Sequence, residues 1–295
     1  MGKNGQVGSE LQVALKALGD VIALDRNGTA EYCGDLANLE GLRQAIRLIK
    51  PDIIVNAAAY TAVDKAESEP NLAKTINTDA VRLLAEEAKT LGALLVHYST
   101  DYVFDGSGTK PWVENDVTGP LSIYGKTKLD GEKAIVASGC KYLIFRTSWV
   151  YGKQGNNFAK TILWLAGERE SLNIINDQFG APTGADLIAE VTVNAIEQTL
   201  SNPQLQGLYH LAPQGECSWY DYANLVMETA KSKGVTFKCH EMLPIPAEQY
   251  STTAKRPQNS RLDTTKFTDA FGMVLPYWEV GVTLLVNGLI GTSHD

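Results

Sequence analysis

What is scarce in this 295-residue chain narrows its function before any motif is read. No run of about 18 apolar residues occurs, so no membrane-spanning helix is expected. Basic residues are in the minority. The 26 Lys and Arg against 34 Asp and Glu leave a formal net charge of −8, which disfavours non-specific nucleic-acid binding. Cysteine is sparse: Cys33, Cys140, Cys217 and Cys239 form no CxxC pair, and there are four histidines. The usual zinc spacings are missing, and reduced thiols of a cytoplasmic protein are expected. The first ten residues are polar and glycine-rich, unlike a secretory leader. Repeats and low-complexity linkers are lacking too.

What is present is a chain that is 44% hydrophobic, enough for a sizeable core. In the first half, apolar runs at 21–25, 52–59, 94–98 and 143–145 alternate with helical patterns at 6–17, 39–49, 70–90 and 124–137. Continuous apolar strands separated by helices indicate a parallel sheet covered on both faces. The expected fold class is α/β, a Rossmann-type doubly wound sheet over residues 1–150. Beyond 150 the order loosens. Segments 156–166, 185–200 and 219–231 read as helices, and 172–176 and 208–211 as strands. This predicts a smaller C-terminal substrate lobe, 151–295, with chain crossings between the lobes.

Gly2, Gly5 and Gly8 form a GxxGxxG. Glycines permit a tight turn whose backbone N–H groups approach a pyrophosphate at a helix N-terminus. Asp25, twenty residues after Gly5, is placed to bond a ribose hydroxyl. Its charge favours NADH over NADPH, and Arg26 beside it offsets that repulsion. Such a loop ordinarily follows a strand, yet only Met1 precedes Gly2. The expectation is therefore a sheet without its first strand.

Tyr124 and Lys128 form a YxxxK. On a helix these positions share a face. An ammonium beside a phenol favours phenolate and so lowers its pKa, which makes the phenol a usable acid-base group. About 0.7 matches to this motif are expected by chance, so its position carries the information. It opens a helix after the strand end Tyr98-Ser99-Thr100-Asp101. Ligands of open α/β sheets bind at such ends. Thr100 there can donate a hydrogen bond to a carbonyl oxygen gaining charge.

These residues resemble the extended short-chain dehydrogenase/reductase family, and within it the dTDP-4-dehydrorhamnose reductases. The resemblance extends through residues 56–67 (NAAAYTAVDKAE), 99–104 (STDYVF), 146–151 (RTSWVY), 155–158 (GNNF) and 177–183 (DQFGAPT). Arg256-Pro257 and 259–262 (NSRL) complete it. It implies reduction of the C4 keto group of a dTDP-4-dehydro-6-deoxyhexose by NADPH or NADH. In that pattern Tyr124, Lys128 and Thr100 are catalytic. Gly2, Gly5, Gln6, Val7 and Gly8 meet the pyrophosphate, and Asp25, Asp35 and Leu36 the adenosine end. Ala59, Tyr60 and Thr61 flank the nicotinamide side. Thr100, Asp101 and Trp149 contact the sugar, and Arg261 is expected either on the diphosphate, because Arg forks suit phosphate, or in a surface ion pair.

Some members of that family dimerise through a magnesium ion held by glutamates. The matching positions here are Glu10, Asp186 and Gly288, so one carboxylate is shortened and one is absent. Hard cations need several oxygens, which puts a Mg²⁺ bridge in question and leaves monomer and homodimer open. Two rival functions remain. A 4,6-dehydratase carries a Glu after the Thr-Asp pair, where this chain has Tyr102. A non-catalytic binding subunit would have no need to retain Tyr124, Lys128 and Thr100.

Overall fold

The structure, a computed structural model, describes residues 1–291. Its centre is a four-stranded parallel sheet ordered β1–β2–β3–β5. These strands are β1 (Ile53–Asn56), β2 (Leu94–Thr100), β3 (Lys141–Thr147) and β5 (Gly207–His210). β2 is buried throughout. Because side chains alternate across a strand, Leu94, Val96 and Tyr98 enter one apolar cluster and Leu95 the other. Each Leu or Val so buried contributes roughly 1.5–3 kcal/mol.

Helices cover both faces. On one lie α1 (Gln6–Ala14) and α6 (Ala185–Ser201), which join their sheet cluster through Leu11, Ile188 and Ile196. On the other lie α2 (Leu39–Ile49), α3 (Ala80–Leu91) and α4 (Ile123–Ser138). Helix ends follow local chemistry. Ser122 accepts from Gly125 N to start α4, and Gly139, at φ 65°, ends it. β5 returns from the second half of the chain to pair with β3.

A third apolar cluster gathers α5 (Phe158–Glu168), α7 (Trp219–Ser232), α8 (Trp278–Gly291) and β4 (Ser171–Ile175) around Tyr222 and Trp278. β4 pairs in parallel with β6 (Glu241–Ile245), a strand not foreseen in the sequence.

Three expectations are adjusted. The apolar run 52–59 gives only the four residues of β1, since the chain turns away at Ala57. The helix expected over 70–90 is interrupted by a π-turn at Thr75–Asp79, which buries Asn77 and Thr78 against α4. Residues 21–25 are extended but form no ladder. On their β1 side lies a groove, and Leu24 O is bonded there by Gly2 N and Lys3 N.

Candidate active site

α4 is glycine-bearing for a reason that bears on chemistry. A Cβ at Gly125 would stand 2.2 Å from Tyr102 O, so only glycine lets the helix start against the turn that follows β2. Tyr124 lies in that first turn, its ring edge-on to Tyr102 with centroids 5.5 Å apart. Desolvation pushes its phenol up to about 12, and a hydrogen bond with Thr100 pulls the other way.

One turn on, Lys128 is buried and donates to Tyr98 O at 2.6 Å. Its Nζ stands 3.2 Å from His97 Nε2, and Asn56 Nδ2 stands 3.1 Å from His97 Nδ1. Ala58 N donates to Asn56 Oδ1, which turns the amide N–H toward the ring. Burial, then the charge of Lys128, drives His97 well below its ordinary range, so the ring is neutral. Burial likewise lowers Lys128 to about 8, against the pull of Glu132.

Thr100 ends β2. Its hydroxyl donates to Asp101 Oδ1 at 3.0 Å and accepts from Tyr102 N at 3.2 Å. Asp101 is itself buried, and burial raises its carboxyl to about 6. Tyr124, Lys128, Thr100 and Asp101 thus converge at the carboxyl end of β2. Trp149 follows β3, the neighbouring strand. It holds a left-handed backbone at φ 49° and stacks on Trp219 with centroids 3.7 Å apart. Strain of this kind costs about 1–3 kcal/mol and tends to collect at ligand sites.

The glycine turn sits beyond the end of β1, where Ala57 N bonds Met1 O. Gly5 caps α1 without a side-chain acceptor on the first-turn N–H groups. A Cβ on Gly5 would meet only Gly2 O, at 3.3 Å, so the turn opens outward. This open backbone cradle fits a dinucleotide pyrophosphate. Gln6 accepts from Asn157 Nδ2 at 3.2 Å and donates to Val150 O at 3.4 Å.

A family model described as RmlD substrate binding domain matches residues 1–290. The chain belongs to this RmlD family. It is 55% identical to a dTDP-4-dehydrorhamnose reductase of Escherichia coli (strain K12), over 99% of this chain and 97% of that protein. Among solved structures, a dTDP-4-dehydrorhamnose reductase of Clostridium acetobutylicum superposes with TM-score 0.89 at 35% identity, over 98% of each chain. The same-named protein of Bacillus anthracis, solved in complex with NADP, gives TM-score 0.86 at 34% identity over 97% of each.

Within this RmlD-family chain the remaining expected site residues are placed unevenly. Asp25 is already engaged. It accepts from Asn4 at 2.7 Å and from Asn27 N and Gly28 N, with Lys3 at 3.5 Å. Burial of the group is outweighed by these bonds, so its pKa is lowered. Leu36 is buried in the core with Leu42 and Ile46, while Asp35 caps Ala37 N and faces Arg26 at 3.9 Å. Ala59 and Thr61 flank Tyr60 in the stretch after β1. Tyr60 sends its hydroxyl to Glu69, and Asn77 grips its backbone from both N and O.

Of the two uses expected of it, Arg261 takes the ion pair. Its Nε and Nη2 donate to Glu216 at 2.6 and 3.0 Å, and its guanidinium lies 4.4 Å over the Phe179 ring. The fork is filled by a carboxylate of the same chain rather than left open for a diphosphate. Glu10 lies on α1 and Asp186 in the first turn of α6, which pack together, but Asp186 Oδ1 caps Leu187 N. Among the described residues no group of three His, Cys, Asp or Glu could hold a metal ion. No helix there is long and apolar enough to cross a membrane.

His97 and Asn56 were not foreseen as part of the site. The available signal was a histidine inside the apolar run LLVHY, a polar residue where a doubly covered strand otherwise excludes one.

Proposed function

We propose that this chain reduces the C4 keto group of dTDP-4-dehydro-6-deoxy-L-mannose to give dTDP-L-rhamnose, the last step of dTDP-rhamnose biosynthesis. The observation that carries the reading is Tyr124 in the first turn of α4 beside the end of β2, where Thr100 and Asp101 lie, with the buried Lys128 one turn behind it. The 55% identity to a protein of that activity's name supports the substrate.

A nicotinamide dinucleotide bound along the Gly2–Gly8 turn supplies the hydride. The chain supplies the proton: Tyr124 Oη gives it to the sugar O4 as C4 gains its hydrogen. Thr100, once its hydroxyl turns from Asp101 Oδ1, polarises the carbonyl oxygen, and Lys128, held by Tyr98 O and His97, keeps positive charge near the phenol. Asp101 and the Trp149 ring bound the sugar. NADPH and NADH are both accommodated, since Lys3 stands against the charge of Asp25 while Arg26 faces Asp35 beside it. The NADP complex of the Bacillus anthracis relative supports the first. No step is assigned to Mg²⁺. In the same reading the enzyme acts in the cytoplasm, as monomer or homodimer.

The test is an oxidation assay with that 4-keto sugar. One equivalent of NADPH or NADH should be consumed per sugar. Turnover without net oxidation would favour a redox-neutral epimerase, and no turnover would favour a binding subunit.

A further inference from the structure

His97 is fully buried in β2, and each of its ring nitrogens faces a side-chain nitrogen. Nδ1 stands 3.1 Å from Asn56 Nδ2 on β1, and Nε2 stands 3.2 Å from Lys128 Nζ on α4. A neutral imidazole carries one proton, so it accepts at one nitrogen and donates at the other. An amide NH2 and an ammonium only donate. The ring therefore cannot accept from both neighbours at once.

Two arrangements satisfy the ring. In the first, Nε2 accepts from the Lys128 ammonium and the ring proton sits on Nδ1. Asn56 then turns its amide so that Oδ1 accepts that proton's bond, and it gives up the 3.2 Å bond from Ala58 N. In the second, Nδ1 accepts from Asn56 Nδ2, and Asn56 Oδ1 keeps Ala58 N. The ring proton then points from Nε2 at Lys128 Nζ, where only a neutral amine has a lone pair to receive it. Lys128 donates to Tyr98 O in both.

We propose that His97 is a positioning residue that ties the charge on Lys128 to the facing of the Asn56 amide, and through it to the backbone at Ala58, next to the Ala59–Thr61 stretch expected beside the nicotinamide. A charged lysine puts the ring proton on Nδ1 and releases Ala58 N. A neutral lysine puts it on Nε2 and lets Asn56 hold Ala58 N. The imidazole keeps one proton throughout, and the proton lost by the lysine goes to solvent. The proposal rests on the reductase reading, in which the ammonium stands beside the Tyr124 phenol.

The other titratable groups on α4 and the elements packed on it are engaged or uncharged. Glu132 pairs with Arg146 at 2.7 Å, and Glu67 accepts from Ile123 N. Asp79 of the π-turn faces Lys74 and Arg82, and Asp101 accepts from Thr100. The Tyr124 phenol, pushed up to about 12 by burial, is uncharged near neutral pH. Lys128, lowered to about 8 by burial, has both charge states within reach there.

The test follows the full chain, without cofactor or substrate, by NMR with 15N-labelled histidine and 13C-labelled lysine from about pH 6 to about pH 10. Lys128→Met assigns the lysine signal. In the parent, the His97 proton should move from Nδ1 to Nε2 with the midpoint of the Lys128 Cε shift, and the Ala58 amide shift should move with it. A lysine still charged at the upper limit should leave the proton on Nδ1 throughout. In Lys128→Met the proton should sit on Nε2 at every pH. A proton on Nε2 beside a charged lysine, a tautomer indifferent to the Lys128 titration, or the same change in Lys128→Met would each overturn the proposal. His97→Leu removes the acceptor and should lower the Lys128 midpoint, and the alkaline limb of kcat/KM with it, by about one pH unit. His97→Gln keeps an acceptor and should restore most of that shift. A fall in kcat/KM at every pH with the limb unmoved in both variants would mark His97 as structural only and would also overturn the proposal. The NMR arm needs no turnover, so it holds or fails apart from the reductase reading, which the parent's oxidation assay decides.

Discussion

Tyr124→Phe should lower kcat by about a hundred- to ten-thousand-fold while leaving cofactor affinity within about twofold. The change deletes one oxygen. The ring keeps its edge-on contact with Tyr102, and α4 keeps its Ser122 cap and its Gly125 approach to the β2 turn. Lys128 keeps Tyr98 O and His97. What is lost is the donor that delivers a proton to the sugar oxygen. Steady-state kinetics with cofactor titration by fluorescence separates the two quantities. Turnover within a few-fold of the parent would remove the phenol from its assigned role. A parallel loss of cofactor affinity would mean that the hydroxyl holds the cofactor instead.

Gly8→Ala should weaken cofactor binding at least about tenfold and lower stability by on the order of 1–3 kcal/mol, the usual cost of forcing a methyl into closed packing. A Cβ there would stand 1.9 Å from Gly2 O and 2.7 Å from Gly2 C. Both contacts are to backbone, so no side chain can swing away. The glycine turn must move, and with it the first-turn N–H groups left free by the Gly5 cap. The melting midpoint and the cofactor dissociation constant should therefore fall and rise together. A variant with unchanged affinity would show that the Gly2–Gly8 turn is not where the pyrophosphate lies.

Much of the fold was legible because the sequence states it through period and burial. The run LLVHYST became a strand buried from end to end, between helices on both faces. The YxxxK was legible because helical spacing alone places Tyr124 and Lys128 on one face. Other features depend on contacts distant in sequence. Residues 21–25 have strand character, but a ladder depends on hydrogen-bonded neighbours that local sequence does not encode. β6 was missed because Pro244 interrupts its run and its side chains are largely exposed, as an edge strand tolerates. The π-turn at Thr75–Asp79 is set by Asn77 reaching both Tyr60 and Thr127, pairings that helical period cannot encode.

Arg261 shows the same limit in the site itself. Its guanidinium suited either a diphosphate, by the general affinity of Arg forks for phosphate, or an ion pair. Its actual partner, Glu216, lies 45 positions away and is brought there by the fold. His97 was passed over for the opposite reason. It reads as core by its neighbours in sequence, and only the approach of α4 sets Lys128 against it.

The central claim is that hydride goes to C4 of the sugar while Tyr124 protonates O4. The most direct measurement is turnover with NADPH carrying deuterium at the transferred position, read by proton and deuterium NMR of the product. The account predicts one deuterium per molecule at C4 of the deoxyhexose and none elsewhere, with one equivalent of oxidised cofactor. Deuterium at another carbon, or product formed with no label and no net oxidation, would contradict it.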